Sequence, residues 1–361
     1  MEKYRVGIVG ATGMVGQRFI SLLKDHPWFE VNCVAASARS AGKTYREAVE
    51  ERWAFSWEIP EKVAGMTVVD AADIDEVSKH VDFVFCAVDM KKDEIRALEE
   101  AYAKHEIPVV SNNSACRGIE DVPMVVPEIN ADHLAVIEAQ KKRLGTKNGF
   151  IAVKPNCSIQ SYVPALTPLL DFEPEKVSVC TYQAISGAGK TFKTWPEMVD
   201  NVIPYIGGED EKSENEPLKL WGHVEDGKIV NAALPVISAQ CLRVACSDGH
   251  MAAVSVSFKK KPTIEQIKER WANYETEAQR LELPSAPKPF LQYFEDPSRP
   301  QTRLDRDFQN GFGVSIGRLR EDKLFDYRFV CLSHNTVRGA AGGGILTAEL
   351  LCRKGYIPHR V

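Results

Sequence analysis

A glycine at every third position across a strand-to-helix junction constrains this chain more than any other feature. The segment reads VGIVGATGMVGQR and carries Gly7, Gly10, Gly13 and Gly16. Glycine lets the backbone approach a pyrophosphate, and the start of the following helix favours the negative charge. The spacing G-x-x-G-x-x-G departs from the standard G-x-G-x-x-G. Its context, a first strand and then a helix, supports a dinucleotide site over a structural tight turn.

The segments that follow alternate. Tyr4–Val9, Val31–Ala35, Met66–Val69, Val81–Val88 and Ile107–Val110 read as strands, and VDFVFCAV is an unbroken apolar run, as a strand covered on both faces requires. Met14–Lys24 and Lys91–Lys104 have helical spacing. Asn130 is expected to cap a helix that ends at Gly145. This alternation predicts an α/β fold with an N-terminal Rossmann-type doubly wound parallel sheet over residues 1–155. After Cys157 the texture changes. Val177–Ile185, Ile229–Val236, Leu242–Cys246, Met251–Phe258, Gly313–Arg320 and Phe325–Leu332 read as strands, with one helix, Ile264–Leu281, opened by a Thr263/Gln266 capping box. Residues 156–334 are therefore expected to form an α+β catalytic and dimerisation domain with a mixed sheet. The proline-rich stretch 284–303 is expected to be an ordered loop or arm, and residues 335–361 to return as a helix that completes the first domain.

Composition narrows the partners. The net charge of −5 gives no reason to expect nucleic acid, and no stretch approaches the ~18 apolar residues of a membrane span. The N-terminal stretch lacks the apolar core of a signal peptide. Nine cysteines with no C-x-x-C pair argue against a disulfide framework or a zinc site, so no metal is expected and a reducing cytoplasm is.

The cofactor can be narrowed further. An NAD site offers a carboxylate about 20 residues after the glycines. The second strand ends instead in Ala35-Ala36-Ser37-Ala38-Arg39-Ser40. Two hydroxyls and a cation suit a 2′-phosphate, which favours NADP; the alternative is that Arg39 is a surface arginine. The reacting group is sought in AVKPNCSIQS. Cys157 follows a strand and is placed to open a helix, a position that lowers a thiol pKa; otherwise it is a buried structural cysteine. The segment CLRVACSDGHMAAVSV holds Arg243 and His250 in a strand–turn–strand setting. On a nicotinamide-binding chain a cysteine and a histidine have a defined chemistry: the thiolate adds to an aldehyde, the base takes the hydroxyl proton, and hydride departs to leave a thioester. Amide donors at the Cys157 turn would hold the oxyanion. Arg117 and Lys219 are cations of the kind that a phosphate acceptor requires.

Taken together, GATGMVGQ, SARSAGK, NNSACR through VPEIN, PNCSI, TYQAISGAGK, ENEPLK, the Arg243-x6-His250 pair and HNTVRGAAGGG resemble the aspartate-β-semialdehyde dehydrogenase family along essentially the whole chain, in order. The ending is similar to the archaeal and fungal branch. The resemblance implies reversible NADPH-dependent reduction of β-aspartyl phosphate to the semialdehyde and phosphate, in biosynthesis of lysine, threonine, methionine and isoleucine, by a homodimer or homotetramer. It implies Cys157 as nucleophile, His250 as acid/base and Gln183 as an orienting group. Arg243 would pair with the substrate carboxylate and Glu216 with its amine; Arg117 and Lys219 would bind phosphate, with Asn156 assisting. Gly10, Thr12, Gly13, Met14, Val15, Ser37, Arg39, Ser40, Ser186, Gly187 and Asn335 would meet NADP. The chain departs from many bacterial members at Gly342, Gly343 and Gly344, where those carry an asparagine, so Asn335 is the candidate contact for the nicotinamide carboxamide. The close rival is an acyl-CoA reductase, such as malonyl-CoA reductase, with the same Cys–His chemistry. A non-catalytic NADP-binding sensor would need the glycines but not Cys157, Arg243 and His250 together.

Overall fold

The computed structural model describes residues 2–359, so Met1 and the last two positions of the predicted tail segment 335–361 lie outside the described residues. The apolar runs of the first part form one all-parallel sheet: β1 (Tyr4–Val9), β2 (Phe29–Ala36), β3 (Val69–Asp70), β4 (Phe83–Cys86), β5 (Val109–Ser111) and β6 (Ile151–Val153), in the order β3-β2-β1-β4-β5-β6. That is the doubly wound order, in which a crevice opens outside the strand ends where β1 separates β2 from β4. Helices α1 (Met14–Leu23), α2 (Lys92–Lys104) and α3 (Ile137–Leu144) connect the strands. The third predicted strand lies later than expected, because Thr67 only bridges Thr44. Asn130 does not cap a helix. Its Oδ1 accepts from Val126 N–H and its Nδ2 donates to the Met124 carbonyl, so the chain enters α3 through a 3-10 segment, Ala131–Val136. Gly145 ends α3 in the left-handed conformation, as predicted.

The second part forms a mixed seven-stranded sheet. Its strands are β7 (Pro174–Gln183), β8 (Val202–Ile203), β11 (Val236–Val244), β12 (His250–Phe258), β13 (Leu291–Phe294), β14 (Val314–Glu321) and β15 (Tyr327–Ser333); β9 (His223–Glu225) and β10 (Lys228–Val230) make a separate hairpin. The order is β13-β14-β15-β12-β7-β11-β8. The predicted strand Ile229–Val236 divides because Asp226 and Gly227 both take positive φ and fold residues 223–230 into the hairpin. The segment Leu242–Cys246 belongs to a longer strand that begins at Val236. Helix α4 (Glu209–Leu220) was not predicted. The predicted helix Ile264–Leu281 is two: α5 (Ile264–Ala272) and α6 (Glu277–Arg280), each with its own Thr/Gln capping box. The arm 284–303 contributes β13 to the sheet edge.

Helix α7 (Gly342–Arg353) packs back on the first sheet, where Ile345, Leu346, Leu350 and Leu351 share a core with Val6, Ile8, Phe19 and Phe85. Phe19 stacks on Phe85 with centroids 4.3 Å apart; burying each such ring stabilises by roughly 1.5–3 kcal/mol. The opposite face of the first sheet is continuous, through Ile159, Tyr162, Leu166 and Leu169, with the covered face of the second, so one core runs under both. The other face of the second sheet is open and carries Tyr182, Val202 and Val236. Among the described residues no helix is long and apolar enough to cross a membrane.

Candidate active site

Strand register gathers three of the predicted residues at one end of the second sheet. Gln183 ends β7 and pairs with Arg243 on parallel β11. Strand β12 runs antiparallel to β7 with Met251 opposite Tyr182, which puts His250 beside them. All three side chains are buried. Cys157 meets them from the first sheet, just beyond β6. Its Sγ lies 3.4 Å from His250 Nε2. His250 Nδ1 accepts the Ala184 N–H at 3.1 Å, which fixes the neutral tautomer with the proton on Nε2, directed at the sulfur. Burial, reinforced by Arg243, pushes the His250 pKa down to about 3, so the ring is neutral at pH 7.

The thiol differs from expectation. Cys157 opens only a three-residue 3-10 turn, Ser158–Gln160, and no long helix lowers its pKa. The thiol pKa is raised instead of lowered: burial pushes it up and Glu209 adds to that, which outweighs the pull of Lys154, Arg117 and Arg243 in the other direction. The Ser158 amide is not free for an oxyanion, because it donates to Asn156 Oδ1 at 2.7 Å.

The predicted substrate groups form a linked network. Arg117 donates to Glu216 Oε1 at 2.9 Å and to the Asn112 carbonyl at 3.1 Å, and its buried Nε has no partner among the described residues. Glu216 Oε2 accepts the Asn156 N–H at 2.6 Å. Arg243 donates through Nη1 to the Ala184 carbonyl at 2.7 Å, which aims the rest of its fork into the site. Lys219 is placed differently from expectation. Its Nζ donates to the carbonyls of Arg117, Ile119 and Val122, so its three N–H groups hold the Arg117 loop rather than facing a phosphate. Burial lowers its pKa to about 8.

The glycine turn is cradled. Gly10 has φ +89°, and a Cβ there would sit 2.3 Å from the Ala87 carbonyl oxygen. A Cβ on Gly16 would lie 2.3 Å from the Gly10 oxygen, so α1 can start against the turn only with glycine at that place. Gly13 precedes α1 with no side-chain cap, which leaves its first N–H groups facing the crevice beside Thr12, Met14 and Val15. Ser37 and Arg39 are exposed and Ser40 is buried in the turn that follows β2; β2 meets the glycine turn through the Ala35 carbonyl, which accepts from Gly10 and Ala11 N–H. No carboxylate stands in that turn. A pyrophosphate and a ribose 2′-phosphate fit these residues. From the other side, Gly187 lies against the site: a Cβ there would meet Arg243 Nη1 at 2.8 Å and His250 Nε2 at 3.0 Å. Asn335 Oδ1 accepts from Gly249 N–H at 2.7 Å and its Nδ2 donates to Ser186 Oγ at 2.9 Å. Its carboxamide ties the His250 turn to the Ser186 loop and has a second N–H and a second oxygen lone pair beyond these two bonds.

Comparison with known proteins identifies the assembly. The family described as semialdehyde dehydrogenase, NAD binding domain, matches residues 5–137, and the semialdehyde dehydrogenase dimerisation domain matches residues 166–338. Aspartate-semialdehyde dehydrogenase of Schizosaccharomyces pombe is 45% identical over 98% of this chain and 99% of that protein; the enzyme of that name from Archaeoglobus fulgidus is 43% identical over 98% and 100%. The chain belongs to the aspartate-semialdehyde dehydrogenase family. Within that family, the crystal structure from Candida albicans with NADP superposes with a TM-score of 0.89 at 39% identity, covering 99% of this chain and all of the other. The fungal and archaeal likeness read from the ending HNTVRGAAGG holds.

Three residues of this family member's site escaped the sequence reading. Glu209, at the start of α4, accepts from Asn156 Nδ2 at 2.9 Å and from Gln183 Nε2 at 3.3 Å. Burial pushes its carboxyl up, but Lys212, Asn156 and Gln183 outweigh that and hold it below the usual range. Gly339 packs on the thiol: a Cβ there would lie 2.9 Å from Cys157 Cβ. Lys154 is buried behind the Cys157 turn. Glu209 lies in the acidic run GGEDEKSENEPLK, of which only the end was read; the other two lie inside quoted motifs.

Proposed function

We propose that this chain catalyses the reversible reduction of β-aspartyl phosphate by NADPH to aspartate β-semialdehyde and phosphate, in biosynthesis of lysine, threonine, methionine and isoleucine. The observation that carries this reading is the Cys157 Sγ to His250 Nε2 approach of 3.4 Å, with Arg117 and Arg243 beside it. The sulfur attacks the acyl carbon, the carbon–oxygen bond to phosphate breaks, and a thioester remains on Cys157. Bound NADPH supplies the hydride. His250 Nε2–H donates to the oxygen that turns negative, and the carbon–sulfur bond then breaks to release the aldehyde and return the thiolate. The net reduction takes up one proton, which leaves with the departing phosphate as hydrogen phosphate, and a histidine whose tautomer makes it a donor serves that oxygen as well as the oxyanion; this is the acid half of the predicted acid/base role.

Arg243 holds the substrate carboxylate through its free fork. Arg117 binds the leaving phosphate, Lys219 and Asn156 position that group, and Glu216 meets the substrate amine. Gln183, held by Glu209, orients the intermediate. Gly10, Thr12, Gly13, Met14, Val15, Ser37, Arg39, Ser40, Ser186 and Gly187 hold NADP, and Asn335 positions the Ser186 loop. We divide the chain at 155/156, with the segment from 335 assigned to the first domain; the packing of α7 on β1 and α1 supports this. A homodimer or homotetramer that covers the open sheet face at Tyr182, Val202 and Val236 accounts for the dimerisation-domain match. The cytoplasm suits nine cysteines that are all free thiols.

The test is the rise in reduced-nicotinamide absorbance with aspartate semialdehyde and NADP, with and without phosphate. A phosphate-dependent rise supports the reading. No rise, with oxidation of NADPH by malonyl-CoA instead, would make the chain an acyl-CoA reductase. Arg243→Lys removes the bidentate fork and is expected to lower kcat/KM by ~2 kcal/mol, or about 30-fold. Unchanged kinetics would take Arg243 out of the site.

A further inference from the structure

Glu209 is a buried carboxylate that binds two amides of the site at once. It opens α4 and is 8% exposed. Its Oε1 accepts from Asn156 Nδ2 at 2.9 Å and from Lys212 Nζ at 2.8 Å. Its Oε2 accepts from Gln183 Nε2 at 3.3 Å and lies 3.1 Å from the same Asn156 nitrogen. The two amides come from different sheets. Asn156 follows β6 and precedes the sulfur, and Gln183 ends β7, one residue before the N–H that fixes His250.

A carboxylate only accepts, so it settles which way the Gln183 amide points. Nε2 spends its two N–H groups on Glu209 and, at 3.3 Å, on Thr181 Oγ1. What Gln183 has left for substrate is an oxygen. Of the groups on β-aspartyl phosphate, the carboxylate, acyl oxygen and phosphate accept, and the ammonium donates. We propose that Glu209 is a positioning residue that sets substrate specificity: by holding the Gln183 N–H groups it leaves Oε1 as an acceptor for the substrate ammonium, a task shared with Glu216. The inference rests on the function proposed above. A site built around such a bond rejects a substrate that lacks the amine, because its buried acceptor is left unpaired.

The test compares aspartate semialdehyde, 2-amino-4-oxobutanoate, with 4-oxobutanoate, the same aldehyde without its amine, on the full chain. Glu209→Gln keeps the shape. Lys212 must face the new carboxamide's oxygen, so the new N–H2 takes the place of Oε2 and meets Gln183 Nε2, and the Gln183 amide turns over. The Cys157 turn keeps its bonds from Ser158 N–H to Asn156 Oδ1 and from Asn156 N–H to Glu216. The variant should therefore lower kcat/KM for aspartate semialdehyde by about 30-fold, and for 4-oxobutanoate by no more than about threefold. Gln183→Met should do the same, and the double variant should fall little further, since both changes remove one interaction. NADPH affinity should stay as it was. Equal losses with both aldehydes, losses that multiply in the double variant, or weaker NADPH binding overturn the proposal. If 4-oxobutanoate is turned over too slowly to measure, the double variant decides. If Glu209→Gln does not fold, Glu209→Asp, which keeps the charge but cannot reach both amides, is judged by the same results. The proposed function falls only if the unaltered chain does not turn over aspartate semialdehyde with phosphate; this inference falls on the variants.

Discussion

Cys157→Ala is expected to lower turnover by about four orders of magnitude or more, while NADP binds as before. The size follows from the thioester: without sulfur there is nothing to displace phosphate and nothing to carry the acyl group to the hydride. The retention of binding follows from distance along the fold. The glycine turn is built by β1, Ala87, Gly16 and the Tyr45 hydroxyl, which donates to the Ala11 carbonyl at 2.9 Å; Cys157 belongs to none of these contacts. Turnover and a fluorescence titration with NADPH, read on the same preparation, check both halves. Loss of both would make Cys157 a packing residue, and turnover near the original would remove it from the chemistry.

The second large effect is expected away from the reacting atoms. Glu128 and Arg338 are buried and bound side by side through two hydrogen bonds of 2.8 and 3.0 Å. Arg338 also donates to the Phe312 carbonyl and lies over the Phe290 ring at 4.4 Å. Removal of one partner leaves an uncompensated charge in the core. Glu128→Ala should lower the free energy of unfolding by ~3–5 kcal/mol, seen as an earlier urea midpoint. Adding Arg338→Met should recover part of that loss, since an apolar pair carries no desolvation penalty. If the double variant is no more stable than the single, the pair is not the source of the effect. Arg338 precedes Gly339, which rests on Cys157, so the single variant should also lose turnover.

The first sheet was legible because strands buried on both faces must be apolar throughout, and VDFVFCAV or YRVGIV admits few other structures. Helix α4 was not, for the opposite reason. Its inward positions Glu209, Ser213, Glu216 and Lys219 are polar because they bond to the Cys157 turn and the Arg117 loop, so no apolar stripe marks it, and Pro217 argues against a helix. Strand β11 was cut short by Ser238 and Gln240, which face the open side of a strand that alternates throughout. The break between α5 and α6 could have been found in the second Thr-x-x-Gln, Thr276 to Gln279. In the site, residue types and their order pointed to Cys157, His250 and Arg243. Whether an amine faces substrate or its own backbone is a matter of three-dimensional contact, and Lys219 differed there. The same holds for Asn335, whose carboxamide joins two loops.

The reactive sulfur is covered from the far end of the chain. Cys157 is synthesised before the middle of the sequence, yet the glycine that packs on it lies at 339 and the helix that closes the first core begins at 342. During translation the thiol must therefore wait, without its lid and without the potential of its assembled neighbours, until some 180 more residues have been added. What the unassembled cysteine lacks in that interval is the His250 donor 3.4 Å from its sulfur and the Gly339 backbone packed on it. The order of residues along the chain thus also sets the order of events: the complete site comes last, once the two ends of the first domain have met.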